Sequence, residues 1–285
     1  MQLNLYTNIQ KAPELRPNGG QTARSFQVDR RKYNKISYCG SAMRWTMKSK
    51  EWQNEAVKLT IPFSEPGLST SMLLEVKGED ERQILVECGD GTSSFLFSKY
   101  GRNSARYETL SDVLISHEHM DHAGGIPSFL LLMEVAGRTA DLNIFTPCGD
   151  SGFIGNVIRQ IQPKLHFIVN VASSYDKFSY PVKSPVVFRS FRTRHRDSFP
   201  SNRCGDIVPS NGYCITVNGS KLVFSGDTGP CRELEEECSG AELAVIESTW
   251  DKPVDCDSLH LTVAQAKRYG SLAKDHILIH PVRDV

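Results

Sequence analysis

The sequence predicts an α/β fold in which sheets pack face to face and helices cover their outer sides. Strand-like apolar runs come in two batches: LTIPF, SMLLEVK and RQILVEC early in the chain, and GYCITV and KLVFSG much later. Helical periodicity appears directly after strands in both halves. Pattern alone leaves other α/β layerings open.

Residues 1–57 are polar and basic. Five Lys and five Arg stand against Glu14, Asp29, Glu51 and Glu55, and Pro13, Pro17 and Gly19-Gly20 interrupt any regular element. They read as an N-terminal extension or small accessory segment ahead of a main domain over 58–285. Within that domain, SMLLEVK and RQILVEC are expected to form a hairpin across Gly78-Glu79-Asp80. Val113-Leu114-Ile115-Ser116 is a short apolar strand, and Ile126, Phe129, Leu130 and Met133 then fall on one face of a helix. Asn218-Gly219 between GYCITV and KLVFSG is a strong hairpin signal. Thr262 and Gln265 form a capping box that opens the helix VAQAKRYGSLAK.

A chain of 285 residues, 39% of them hydrophobic, buries one substantial core without disulfides. Basic and acidic residues balance at 33 each, so no global field marks a membrane or nucleic-acid binder. The eight cysteines contain no C-x-x-C pair and read as reduced thiols. Neither a signal peptide nor a membrane-spanning run is visible, and a soluble, cytoplasmic protein is expected.

The chemical signal begins where the strand at Ser116 ends. His117, His119, Asp121 and His122 place four potential ligands within six residues, followed by Ala-Gly-Gly. Neutral imidazoles and a carboxylate suit zinc and similar borderline ions, and a strand-to-helix turn can aim them at one point.

At these residues the sequence resembles the metallo-β-lactamase superfamily, whose H-x-H-x-D-H motif matches His117, His119, Asp121 and His122 without a gap. The resemblance implies a four-layer αββα sandwich and two metal ions, zinc first, with manganese or iron(II) compatible. It also implies further ligands at strand ends. Asp227 follows KLVFSG as a bridging aspartate, and His280 follows HILI as the final histidine. For the remaining histidine, His195 precedes the hairpin that delivers Asp227, while His166 lies in the strand-like run KLHFIVN. His195 is the expected ligand; His166 and His276 are expected to be half-buried structural residues.

The flanking segments are similar to ribonuclease Z. They are Leu85 to Thr92 before the motif, Ala244 to Trp250 for its H-E-A-T segment, and Ser258 to Ala266 for its H-S-T box. That likeness implies a dinuclear phosphodiesterase with a hydroxide held between the metals. The histidine at His260 protonates the leaving oxygen, oriented by Glu247, so the implied catalytic set is Asp121, Glu247 and His260. The expected partner is an RNA or nucleotide phosphodiester, with no membrane, in a homodimer. Three departures point away from tRNA toward a cyclic nucleotide or short oligonucleotide. The family's P-x-K-x-R-N loop is missing from Phe63 to Ser71, Ile246 replaces the first histidine of H-E-A-T, and only 46 residues separate Cys148 from His195. Arg194, Arg196 and Arg203 are candidate phosphate contacts. Thioester or lactone hydrolysis on the same metals is the alternative, and a non-catalytic binding subunit a more distant one.

Overall fold

The computed structural model describes residues 49–78, 81–102, 104–175, 179–181, 186–198, 204–252 and 260–281. All lie in the compact unit Thr46–Val285; the unit Met1–Trp45, and with it most of the basic segment, falls outside the described residues. Arg203 also falls outside them.

The first sheet has seven strands in spatial order β1 (Lys50–Gln53), β2 (Val57–Glu65), β3 (Ser69–Val76), β4 (Gln83–Cys88), β5 (Leu110–Leu114), β6 (Leu142–Thr146) and β7 (Val169–Ser173). Pairing is antiparallel from β1 to β4 and parallel from β4 to β7. The second sheet is built from β8 (Ser179–Pro181), β9 (Val186–Arg192), β12 (Asn211–Val217), β13 (Ser220–Phe224), β14 (Leu243–Glu247) and β15 (Asp275–Ile279), adjacent in that order. Between them in sequence, β10 (His195–Ser198) and β11 (Cys204–Val208) form a separate two-stranded ribbon.

Strand alternation builds the layers. Met72, Leu74 and Val76 of β3 and Ile84 and Val86 of β4 join Ile215 and Val217 of β12, Leu222 and Phe224 of β13, and Leu243 and Val245 of β14 in one cluster between the sheets. The intervening Leu73, Leu85 and Val113 face outward against helices α1 (Thr92–Tyr100), α2 (Ser104–Glu108), α4 (Ile126–Val135) and α5 (Phe153–Ile161). Short α3 (Met120–Ala123) carries the second half of the histidine motif. On the other side, Val223, Ala244 and Ile246 pack under α6 (Arg232–Cys238) and α7 (Val263–Gly270). Three continuous apolar layers therefore make the αββα sandwich, each buried side chain contributing about 1.5–3 kcal/mol.

Several local expectations hold. Ile126, Phe129, Leu130 and Met133 are the buried face of α4. Asn218 and Gly219 both take positive φ, 49° and 81°, as a two-residue hairpin with the strands' own twist requires. The Thr262–Gln265 capping box is complete.

Three expectations are corrected. Lys50–Gln53, placed with the basic extension, is the edge strand of the first sheet, paired from Lys50↔Ile61 to Gln53↔Lys58. The Trp52 indole donates to Asp275 at 3.0 Å, tying it to β15. His166 is exposed and hydrogen-bonded through Nδ1 to Glu134, because the strand begins only at Val169. His276 is exposed at the start of β15. Ile246 needs no polar role, since its side chain belongs to the core under α6 and α7. The 46-residue interval after Cys148 contains α5 and β7–β9.

Candidate metal centre

The parallel strands of both sheets end on one edge, and the functional side chains follow those ends. The turn after β5 carries His117, and His119 opens α3, so Asp121 and His122 lie in its single turn. The two glycines that follow allow close packing: a Cβ on Gly125 would stand 2.1 Å from the Gly89 carbonyl. In the two-stranded ribbon β10 begins at His195, and in the second sheet β13 leads to Asp227 and β15 ends just before His280. Gly226, at φ 57°, brings Asp227 against β5; a Cβ there would fall 2.6 Å from the Ser116 side chain.

The side chains converge into two overlapping sets. His117, His119 and His195 form one, and Asp121, His122, Asp227 and His280 the other, with donor atoms of each set within 4.8 Å of one another. Asp227 Oδ2 stands between the sets, 4.0 Å from His117 Nε2, 3.4 Å from His122 Nε2 and 3.6 Å from His280 Nε2. The His195 Nε2 and His119 Nδ1 atoms face each other at 3.1 Å. Asp121 Oδ2 lies 3.3 Å from His280 Nε2 and accepts from the Gly67 backbone N–H at 2.8 Å. All seven sequence-predicted positions are thus together, while His166 is elsewhere on the surface.

The donor set fits metal binding. His117 Nε2 and His122 Nε2 are buried without a hydrogen-bond partner, a costly state for a ring nitrogen unless a metal takes its lone pair. Burial, followed by the positive potential of His122 and His195, pushes His117 well below its ordinary value, which favours the neutral ligand form. Burial raises the Asp121 carboxyl, but His280's hydrogen bond and the charge of His122 outweigh it and hold it at about 2.

A second ring of residues orients the first, and the sequence reading assigned it no role. Asp197 Oδ1 is 2.9 Å from His119 Nε2; it lies two residues beyond His195 on β10, where the ribbon's register is irregular between Arg196 and Ser198. Glu87, buried at the end of β4 with a positive φ of 62°, accepts from the Ser116 N–H at 3.1 Å and stands 3.6 Å from His122 Nδ1. His280 shares the positive φ, at 59°. The Thr249 hydroxyl lies 3.0 Å from His280 Nδ1 and 3.2 Å from His260 Nδ1.

Beside the cluster, Glu247 is fully buried and accepts from the N–H groups of Thr228 (3.1 Å), Thr249 (3.0 Å) and Leu261 (2.9 Å). Its Oε1 is also 3.1 Å from His260 Nδ1. Burial pulls the His260 imidazole down, but the Glu247 bond and the charges of Glu247 and Asp227 prevail and raise it to about 9. His260 also groups with His195 and Asp227 at ligand distance. A cleft of about 500 Å³ opens over these groups, lined by Gly67, Met120, Asp197, Asp227, Trp250 and His260. Among the described residues no helix is long and apolar enough to cross a membrane. Cys88, Cys148, Cys214, Cys231 and Cys238 are free thiols.

The family model for the β-lactamase superfamily domain matches residues 82–280. Zinc phosphodiesterase ELAC protein 2 of Macaca fascicularis is 28% identical over 204 residues, 67% of this chain but 25% of that protein. Ribonuclease Z of Methanococcus maripaludis is 28% identical over 250 residues, covering 70% of this chain and 77% of that one. Among solved structures, the metallo-β-lactamase fold protein YhfI from Bacillus subtilis superposes with TM-score 0.62 at 18% identity, covering 81% and 89% of the two chains. Human tRNase Z, short form, superposes with TM-score 0.59 at 18% identity, covering 79% and 92%. The likeness to the solved structures establishes a shared fold.

Proposed function

The chain belongs to the β-lactamase superfamily, whose domain model spans every candidate ligand from His117 to His280, and on that premise we propose that it is a dinuclear, metal-dependent phosphodiesterase of ribonuclease Z-like type. His117, His119 and His195 would hold one ion, Asp121, His122 and His280 the other, and Asp227 both, with zinc the metal that suits this His/Asp set first. Bound there, the two cations supply neutralisation of the phosphodiester charge and activation of water for in-line attack.

The observation that carries the choice of phosphodiester is the buried Glu247–His260 pair beside the cluster. A diester that expels a sugar alkoxide needs a proton at the leaving oxygen. Glu247 holds the Nδ1 side of His260 and orients its ring at the wall of the cleft, the position from which it would deliver that proton. In the metal-free protein the Glu247 bond and the charges of Glu247 and Asp227 raise the proton affinity of His260. The two relatives' names, zinc phosphodiesterase and ribonuclease Z, agree with this chemistry. Hydrolysis of an RNA or nucleotide diester, a cytoplasmic location and a homodimeric state complete the proposal; sedimentation of the full chain tests the last.

The leaving group tests the general acid. In His260→Ala, cleavage of a diester that expels a sugar alkoxide should fall about 10²- to 10⁴-fold. Bis-(p-nitrophenyl) phosphate, whose p-nitrophenolate departs unprotonated, should be cleaved at nearly the parental rate with metal content unchanged. Equal losses on both substrates, or loss of metal, would return His260 to a ligand or structural role.

A further inference from the structure

A second cavity, of about 310 Å³, adjoins the metal cluster and is lined by Arg192, Arg194, His195, Arg196, Ile207 and Glu233 among others. Strand alternation explains the arrangement. Across the β10–β11 ribbon His195 pairs with Val208 and Arg196 with Ile207, so neighbouring side chains point to opposite faces. On β10, His195 and Asp197 reach the metal cluster, while Arg196 lines the cavity with Arg192 at the end of β9 and Arg194 just before β10. His195 is the wall common to both.

Three arginines and Glu233 line this cavity, in a chain whose 33 basic and 33 acidic residues otherwise balance. The arginines are held in place. Arg192 lies over the Tyr175 ring at 5.6 Å, and Arg196 Nη1 donates to the Gly205 carbonyl at 3.1 Å. The backbone of Arg194 is fixed on both sides, its N–H donating to Thr228 Oγ1 at 3.1 Å and its carbonyl accepting from Gly229 at 2.7 Å. Guanidinium forks match the oxygens of a phosphate, and Ile207 gives the cavity an apolar wall for a sugar.

We propose that this cavity is a phosphate subsite for a second phosphate of the same nucleotide chain whose neighbouring diester lies over the metal cluster. The substrate is then a short oligonucleotide and not a mononucleotide cyclic diester. This deepens the phosphodiesterase reading and rests on it for the position of the cleaved bond.

Two esters with one leaving group test it on the zinc-loaded full chain: bis-(p-nitrophenyl) phosphate, with one phosphate, and the 5′-p-nitrophenyl phosphate ester of thymidylyl-thymidine, with two. Arg194→Gln combined with Arg196→Gln is expected to raise the ratio of the two KM values, two-phosphate ester over one-phosphate ester, about tenfold or more, the worth of charged hydrogen bonds. The charge-keeping pair Arg194→Lys and Arg196→Lys should restore most of it. An unchanged ratio overturns the subsite. A second arm needs no turnover: a fluorescein-labelled phosphorothioate tetrathymidylate should bind the parent more tightly, and with steeper salt dependence, than the Gln variant. Equal affinities and salt slopes overturn the proposal. If the parent cleaves neither ester, the phosphodiesterase reading falls, and this binding comparison still decides whether the cavity takes phosphate.

Discussion

His195 and His166 share an element context in the sequence, each beside a strand-like run, yet only His195 stands among other ligand candidates. His195→Ala should therefore lower bound zinc, measured by atomic emission after gel filtration, from about two ions per chain toward one. His166→Ala should leave it unaltered, and the reverse pattern would transfer the ligand role. Asp197→Asn should weaken zinc affinity about 10- to 100-fold, the usual effect of losing a carboxylate behind a ligating histidine, as read by chelator competition. A pH experiment belongs at the same scale. In the metal-free protein His260 has a folded value of about 9 against an unfolded 6.5, so it adds stability that is complete below pH 6.5 and is lost as pH rises through 9. Urea midpoints in EDTA at pH 6 and pH 9.5 should differ less in His260→Asn than in the parent. The first ligands were legible because four of them crowd six residues. Asp197 and Glu87 were not, because a carboxylate that orients a ligand carries no spacing rule of its own and is recognised only when two chain segments meet.

At the scale of elements, legibility followed burial contrast. The face of α4 and the inward-outward alternation of β3, β4, β13 and β14 are written in apolar periodicity, since each separates two buried layers or a core from water. The edge strand β1 was missed for the converse reason: three of its four residues are exposed, and it offers only Trp52 as an apolar signal. Helix α7 illustrates a local signal with a long reach. Its Thr262 cap follows Leu261, whose N–H binds Glu247, and His260 immediately before it. Thr262→Ala should cost about 1 kcal/mol in a urea titration, the worth of an N-cap. It should also lower activity on an alkoxide-leaving diester more than on bis-(p-nitrophenyl) phosphate, because it loosens the segment that positions the proton donor.

At the scale of the whole molecule, we propose that the domain needs β1, which lies within the unit Thr46–Val285. A chain shortened to begin at Ser49 preserves the edge strand and should fold and hydrolyse bis-(p-nitrophenyl) phosphate like the full chain. Starting at residue 58 removes the pairing with β2 and the Trp52–Asp275 bond, and should lower the melting temperature measurably. Equal stability of the two truncations would return Lys50–Gln53 to the extension.

The ligand candidates also divide between the sheets: His117, His119, Asp121 and His122 follow β5 of the first, and His195, Asp227 and His280 follow strands of the second or its adjoining ribbon. A pair of ions held by both groups, as proposed, would act as a clasp at the open edge of the sandwich. It would cross-link chain positions from 117 to 280, as a covalent staple would, and neutralise carboxylates that otherwise repel. Chelation should then do more than silence the site. It should speed the parting of the two sheets, visible as faster hydrogen exchange in the inner-facing strands β4 and β13, while the helices packed on each outer face keep their protection until either sheet unfolds on its own.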